Sequence, residues 1–283
     1  MSDWTTLVSA EDLAAALGRD DLIVVDARFA LNDKAAGEAA YRQAHVPGAR
    51  YAHLDRDLSD HRKSGGGRHP WPEADDFTAA LGRWGITPQH QVVVYDNGDG
   101  ALAAARLWFL LRVLGHQRVA VLDGGWQRWT ALGLPSDDLV PAPAATRYEA
   151  SYDARRVLDA QDVRSLLDSG GLLIDARAGE RFRGEVEPLD RVAGHVPGAR
   201  NRPYANNLAD GRFKSSETLA GEFAPLLAGR APAQTAVMCG SGVTACHHLL
   251  AMAHAGFDGA ALYTGSWSGW IEDPQRPVAI GDE

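Results

Sequence analysis

One segment of the chain combines a cysteine with residues that could activate it. Residues 238–246 read Met-Cys-Gly-Ser-Gly-Val-Thr-Ala-Cys, so that Cys239 follows an apolar run and precedes a helical pattern. Two glycines let the backbone curl until several N–H groups point at one spot, and such a nest at a helix N-terminus stabilises negative charge. This environment favours a nucleophilic thiolate at Cys239 and could hold a bound anion. The candidate anion-binding positions of this loop are Gly240, Gly242, Val243 and Thr244.

The second cysteine and the histidines after it are assigned a structural role. Cys246 lies inside the helical pattern, and free cysteine is among the residue types most often buried. A metal site that combined both cysteines with His247 and His248 is disfavoured, because adjacent histidines on a helix point in different directions and no Cys-x-x-Cys spacing occurs. We therefore expect neither a metal nor an organic cofactor.

The chain contains two copies of one sequence pattern. Val-Val-Asp-Ala-Arg at residues 24–28 recurs as Leu-Ile-Asp-Ala-Arg at 173–177, and His-Val-Pro-Gly-Ala-Arg at 45–50 recurs unchanged at 195–200. Ordered recurrence of separate motifs indicates a duplicated structural unit. The elements that position the cysteine should therefore occur twice.

Each copy alternates short apolar runs with helical patterns. This alternation predicts an α/β domain with a mainly parallel sheet flanked by helices, in which ligands bind beyond the carboxyl ends of the strands. The proline-rich segment 133–156 is typical of a linker, so we predict domains at 1–145 and 146–283. The glycine run 65–67 predicts a flexible loop. The predicted strands are residues 22–25, 92–95, 119–122, 172–174, 236–238 and 260–263.

The first copy lacks the cysteine at the matching loop. Asp96 takes the position of Cys239, and Asp99 adds a second negative charge where an anion would have to bind. A carboxylate cannot accept a sulfur atom as a thiolate does. The first copy is therefore predicted to be catalytically inactive, which leaves one site per chain.

Composition excludes several classes of function. Lys and Arg total 28 against 37 for Asp and Glu, and the net charge of -9 disfavours nucleic acid and anionic membrane as partners. No apolar run has the length of a membrane span, and the start of the chain lacks the pattern of a signal peptide. Two cysteines do not form a disulfide framework, so the expected location is the reducing cytosol.

These motifs together resemble the tandem-domain rhodanese superfamily, and the Cys239 loop is similar to that of its mercaptopyruvate sulfurtransferase branch. The resemblance implies that sulfane sulfur passes from a small anionic donor, 3-mercaptopyruvate, through a Cys239 persulfide to cyanide, a small thiol or a thioredoxin-like protein. Thiosulfate is the alternative donor. A binding module without activity and a cysteine-dependent phosphatase are remote alternatives, and residues 240–245 contain no arginine of the kind that phosphatase loops use.

The resemblance also implies where the donor binds. Arg181 matches the donor-binding arginine of the family. A second arginine usually follows a Glu-Pro pair, but here Leu189 and Asp190 stand at that place. Arg191 or Arg183 could replace it. A donor anion needs such arginines, because the chain as a whole is negatively charged.

A proton relay completes the implied site. Breaking the C–S bond of 3-mercaptopyruvate leaves an enolate that must be protonated, and a hydroxyl backed by a histidine can deliver that proton. The family relay of serine, histidine and acid maps onto Ser241, His45 and Asp33. His195, in the second copy of the motif, is assigned to the turn itself.

Overall fold

The computed structural model describes residues 3–282, which form two compact units. The first unit comprises the chain up to Asp60, Pro72–Asp153 and Asp210–Phe213. The second comprises His61–Trp71, Ala154–Ala209 and the chain from Lys214 onward. The predicted halves are contiguous, whereas these units are not, because each one includes a short segment from the other half of the chain.

The first copy of the sequence pattern forms a five-stranded sheet in the order β1-β5-β4-β2-β3, with every neighbouring pair parallel. Helices connect its strands, as the alternating pattern predicts. Its elements are β1 (Leu7–Val8), α1 (Ala10–Ala16), β2 (Leu22–Asp26), α2 (Ala36–Gln43), β3 (Arg50–Tyr51), α3 (Leu54–Asp57), α4 (Ala74–Arg83), β4 (Gln91–Tyr95), α5 (Ala104–Val113), β5 (Val119–Leu122) and α6 (Gly125–Ala131).

The second copy repeats this order as β6-β12-β11-β7-β8, again with parallel neighbours. The prediction of two α/β domains with parallel sheets is confirmed. The elements of the second copy are β6 (Val157–Leu158), α7 (Ala160–Asp168), β7 (Leu172–Asp175), α8 (Gly179–Phe182), β8 (Arg200–Asn201), β9 (Leu208–Ala209), β10 (Arg212–Phe213), α9 (Ser216–Leu227), β11 (Thr235–Met238), α10 (Thr244–His254), β12 (Ala261–Tyr263) and α11 (Ser266–Trp270).

Local sequence signals explain where the first helix of each copy begins. The Ser9 side chain accepts the N–H of Asp12 at 3.0 Å, and Asp159 forms a reciprocal capping box with Asp162. These contacts satisfy N–H groups that have no partner inside the helix. The central strands are buried on both faces, as continuous apolar runs predict.

The repeated Asp-Ala-Arg motif has the same structural role in both units. In the second unit the Arg177 guanidinium donates to the buried Asp175 carboxylate at 2.7 Å and lies 4.9 Å from the Trp267 ring. In the first unit Arg28 donates to Asp26 in the same way, and its guanidinium lies over another tryptophan ring. Each ion pair is buried, so the two charges satisfy each other at the end of a central strand.

Within residues 3–282, no helix combines the length and the apolar character that crossing a bilayer requires.

Candidate active site

Cys239 begins the loop that connects β11 to α10, at the carboxyl end of the second sheet. Its N–H donates to Ser266 Oγ at 3.1 Å, and its carbonyl accepts the N–H of Trp267 at 3.0 Å. The carbonyl of Gly240 accepts the N–H of Ser268 at 2.9 Å. The start of α11 therefore fixes both residues of the loop, and Cys239 is nearly fully buried.

The loop contains a set of unpaired amides near this cysteine. Gly242 has a φ of +75°, a left-handed conformation that favours glycine and turns the backbone toward α10. Buried N–H groups normally find acceptors, and a curled run of them without acceptors is an anion-binding concavity. The N–H groups that donate to no acceptor among residues 3–282 include those of Gly240, Ser241, Val243 and Thr244.

The corresponding loop of the first unit is filled by its own side chain. The Asp96 carboxylate accepts the N–H groups of Gly98 and Gly100 at 3.1 and 3.0 Å, and that of Leu102 at 3.2 Å. Burial and the charge of Asp99 raise the pKa of Asp96 above its ordinary value, although the backbone hydrogen bonds oppose the rise. The first copy thus satisfies its loop amides internally, whereas several amides of the matching loop in the second copy have no acceptor among the described residues.

Ser241 is paired with a histidine that the sequence motifs did not indicate. Its Oγ lies 2.9 Å from His69 Nδ1, and both side chains are buried within the second unit. The serine hydroxyl and the imidazole can therefore exchange a proton beside the Cys239 loop. His69 comes from His61–Trp71, the segment that joins the second unit from the first half of the chain.

The predicted relay residues His45 and Asp33 lie in the first unit, and each has local partners there. His45 is fully buried in the first unit, where its Nδ1 lies 2.7 Å from the carbonyl oxygen of Tyr41 and its Nε2 lies 3.3 Å from Asp137 Oδ1. The His45 ring stacks on the Tyr41 ring, and in the second unit the His195 ring stacks on the Phe182 ring. Asp33 is exposed, and its carboxylate accepts a backbone N–H two residues further on. Both residues therefore stabilise local structure.

Arg181 reaches the Cys239 loop but is already paired with acids. Its Nε and Nη2 donate to Glu187 at 3.2 and 2.6 Å, and Nη2 lies 3.4 Å from Asp190 Oδ2. Burial by itself would raise the pKa of Glu187. The hydrogen bonds from Arg181 and from two backbone N–H groups outweigh burial and lower that pKa below its ordinary value. Glu187 is therefore an anion at neutral pH and holds the guanidinium in place.

Arg68 is a second arginine beside the loop, and sequence analysis missed it. A β-carbon built on Gly240 would lie 2.7 Å from Arg68 Nη2 and 3.7 Å from both Nη atoms of Arg181. The Arg68 Nη1 donates to Asp190, and its backbone N–H donates to Ser268 Oγ at 3.0 Å. Glycine at position 240 thus leaves the space that the Arg68 guanidinium occupies.

Neither of the two arginines predicted as replacements takes this position. Arg183 donates to the exposed Glu185 at 2.8 and 2.9 Å. Arg191 donates to the carbonyl of Ile271 and lines the same surface cavity as Arg68, with a volume of about 330 Å³. The second cation near Gly240 is Arg68.

The loop that carries Arg68 and His69 is packed rather than free, which corrects the prediction of a flexible glycine loop. Gly67 has a φ of +76°, and a β-carbon there would lie 2.6 Å from the carbonyl oxygen of Gly265. Its N–H donates to Glu272 at 2.9 Å. Close backbone approach is a second reason for glycine in a sequence, but the glycine alone does not show which element approaches it.

The sequence analysis also considered Cys246 and a possible metal site. The Cys246 thiol is fully buried and donates to the carbonyl of Gly242 at 3.3 Å, in keeping with the structural role expected for it. Among the described residues, no group of three or more His, Cys, Asp or Glu side chains is arranged to hold a metal ion.

Comparison with known proteins agrees with the repeat. The rhodanese-like domain family matches residues 9–132 and again 159–273. A Pseudomonas aeruginosa protein named a probable 3-mercaptopyruvate sulfurtransferase is 48% identical over 280 residues, covering 98% of both chains. A Mycobacterium tuberculosis protein provisionally named a thiosulfate sulfurtransferase is 39% identical over 285 residues, covering 97% of both.

A solved structure has a similar fold. The crystal structure of SseA from Escherichia coli, described as a 3-mercaptopyruvate sulfotransferase, superposes with a TM-score of 0.77 at 32% sequence identity. The match covers 94% of this chain and 100% of the other.

Proposed function

Because this chain belongs to the rhodanese family, with two copies of the domain, we propose that it is a sulfurtransferase whose donor is 3-mercaptopyruvate. Two relatives that bear this name cover 98% and 97% of the chain. In this proposal Cys239 carries the sulfur, the first copy is catalytically inactive, and the protein acts in the cytosol. The acceptor is cyanide, a small thiol or a thioredoxin-like protein.

The observation that carries the proposal is the surroundings of Cys239. Cys239 stands at the end of a central strand, in a loop that has unpaired amides and two guanidinium groups close to Gly240. Amide donors and arginines in a buried loop can stabilise the negative charge of a bound donor. In the first copy the Asp96 carboxylate itself accepts the N–H groups of the matching loop.

The reaction follows from these groups. The Cys239 thiolate attacks the thiol sulfur of 3-mercaptopyruvate, an S–S bond forms, and the C–S bond breaks so that its electron pair leaves on the enolate of pyruvate. Ser241 gives its proton to the enolate carbon and is reprotonated by His69, since Oγ and Nδ1 are 2.9 Å apart. The persulfide then passes its outer sulfur to the acceptor, and the Cys239 thiolate is restored.

The test of the proposed donor is a steady-state comparison of 3-mercaptopyruvate with thiosulfate, using cyanide as the acceptor. We expect a higher kcat/KM for 3-mercaptopyruvate, because its leaving group needs the proton that Ser241 and His69 can supply, whereas sulfite needs none. A clear preference for thiosulfate would contradict the proposed donor and leave the persulfide mechanism in place.

Thiosulfate is the second candidate because one specific observation favours it. Arg68 brings a second cation to Gly240, although the loop from Cys239 to Cys246 contains no basic residue. A dianion gains more from two guanidinium groups than a monoanion does. The comparison of donors therefore distinguishes the two assignments directly.

Arg181→Ala is expected to lower kcat/KM for both donors by about ten- to a hundredfold, mainly through KM. The loss of a charge-assisted hydrogen bond costs about 1.5–3 kcal/mol. Arg183→Ala is the matched control, because that arginine pairs with Glu185 on the exposed side of the same segment. Unchanged donor kinetics in Arg181→Ala, or an equal loss in the control, would remove Arg181 from the donor site.

A further inference from the structure

Six charged side chains form one continuous chain of ion pairs beside the Cys239 loop, and we call them the charge cluster. Asp190 lies between two arginines, with Oδ1 on Arg68 and Oδ2 on Arg181. Glu187 links Arg181 to Arg177. The members of the charge cluster are Arg68, Asp190, Arg181, Glu187, Arg177 and Asp175.

The formal charges of the cluster cancel, because three arginines face three carboxylates. An anionic donor that approached the intact cluster would therefore meet guanidinium groups whose charge is already neutralised. Full use of these arginines requires one resident carboxylate to withdraw from them. The question is which of the three can do so.

Asp190 is held least firmly. Glu187 accepts from two arginines and from two backbone N–H groups, and the Asp175 carboxylate accepts both the side chain and the backbone N–H of Arg177. Within residues 3–282 the Asp190 carboxylate accepts only from Arg68 and Arg181. Its neighbour Leu189 is 58% exposed, although the Asp190 side chain itself is only 5% exposed.

We propose that Asp190 is a resident carboxylate that occupies Arg68 and Arg181 until the donor's anionic group replaces it, and that it thereby selects donors by charge. This inference rests on the proposed function and adds a specificity residue to it. Exchange of one carboxylate for another keeps the number of charge-assisted hydrogen bonds constant. A displaced Asp190 remains close to the donor, and it repels a dianion such as thiosulfate about twice as strongly as the monoanion of 3-mercaptopyruvate.

The same arrangement accounts for an anomaly in the sequence. Where the family resemblance implies a second donor-binding arginine after Glu187-Pro188, this chain has Leu189 followed by the acid Asp190. The missing cation comes from Arg68 on a different segment, and Asp190 pairs with it. The site therefore keeps two arginines but adds a negative charge that a donor must overcome.

The experiment replaces only the charge of this residue. Asp190→Asn keeps an oxygen acceptor of the same size, and we expect KM to fall about threefold for 3-mercaptopyruvate and about tenfold for thiosulfate at low salt. Both effects should shrink at high ionic strength. Glu185→Gln is the matched control, because it makes the same change of charge on the same segment, at an exposed ion pair with Arg183. In the control, the KM values should stay within about twofold of wild type.

A second readout does not depend on turnover. The rate of Cys239 alkylation is measured by peptide mass with iodoacetate, an anion, and with iodoacetamide, its neutral counterpart. Asp190→Asn should raise the iodoacetate-to-iodoacetamide rate ratio about threefold, whereas Glu185→Gln should not. The neutral reagent also reports whether the loop keeps its structure in the variant.

The outcomes separate the two proposals. An unchanged alkylation ratio together with unchanged or higher KM values in Asp190→Asn would overturn the role of Asp190, as would an equal fall in KM for both donors. If wild-type protein forms no persulfide from either donor, the proposed function fails, and the alkylation ratio still decides whether Asp190 controls anion access.

Discussion

Cys239→Ser is expected to abolish sulfur transfer, with a loss of at least about 10⁴-fold in kcat for either donor. The serine hydroxyl is not ionised at neutral pH and cannot form a stable persulfide, so the covalent step has no substitute. Turnover is measured with cyanide as acceptor. Intact mass after donor treatment should show one added sulfur atom on the wild-type chain and none on the variant.

Cys246→Ser is the matched control for the same measurement. Cys246 is fully buried in α10 and its thiol donates to a backbone carbonyl, which a serine hydroxyl can also do. Most of the activity and the added mass should therefore remain. Sulfur found on Cys246, or near-normal turnover in Cys239→Ser, would contradict the assignment of the nucleophile.

Loss of the Ser241–His69 pair is expected to separate the two donors. Ser241→Ala and His69→Gln should each lower kcat for 3-mercaptopyruvate by about 10²–10⁴-fold, because the enolate then leaves without a positioned acid. Thiosulfate activity should change by less than about threefold, since sulfite leaves without a proton. The measurement is kcat for each donor in each variant.

His45→Gln tests the alternative relay. His45 is bonded entirely within the first unit, so this variant should lower the free energy of unfolding by about 1–3 kcal/mol and leave the ratio of the two donor activities unchanged. A loss of 3-mercaptopyruvate activity alone in His45→Gln, with His69→Gln unaffected, would return the relay to His45.

The elements of the fold could be predicted because they depend on local signals. Continuous apolar runs predicted the central strands of each copy. The observed strands differ from the predicted ones where a strand ends in a charged residue. β2 continues through the buried Asp26, although an acid in the sequence normally indicates the end of an apolar run. Burial is possible there because Arg28, two residues further on, neutralises the carboxylate.

The site could be predicted only where its residues belong to one motif. The nucleophile loop was predicted from glycines adjacent to Cys239, and Arg181 from its family motif. His69 and Ser241 are separated by 172 residues, and no repeat or periodicity links them. The position of Arg68 also has no signal in the sequence, because it depends on how closely Gly67 packs against α11. Contacts of this kind are set by tertiary packing and leave no local pattern.

Because His61–Trp71 belongs to the second unit, the two halves of the sequence cannot be separated or recombined without changing that unit. A gene fragment for residues 146–283 would encode the nucleophile without Arg68 or His69, although it contains a complete copy of the duplicated sequence. A crossover at the proline-rich linker between two diverged paralogues would likewise join Cys239 of one paralogue to the counterparts of Arg68 and His69 from the other. On the proposed function, loss of the first half of the chain would therefore remove two residues of the proposed site, although that half does not contain Cys239.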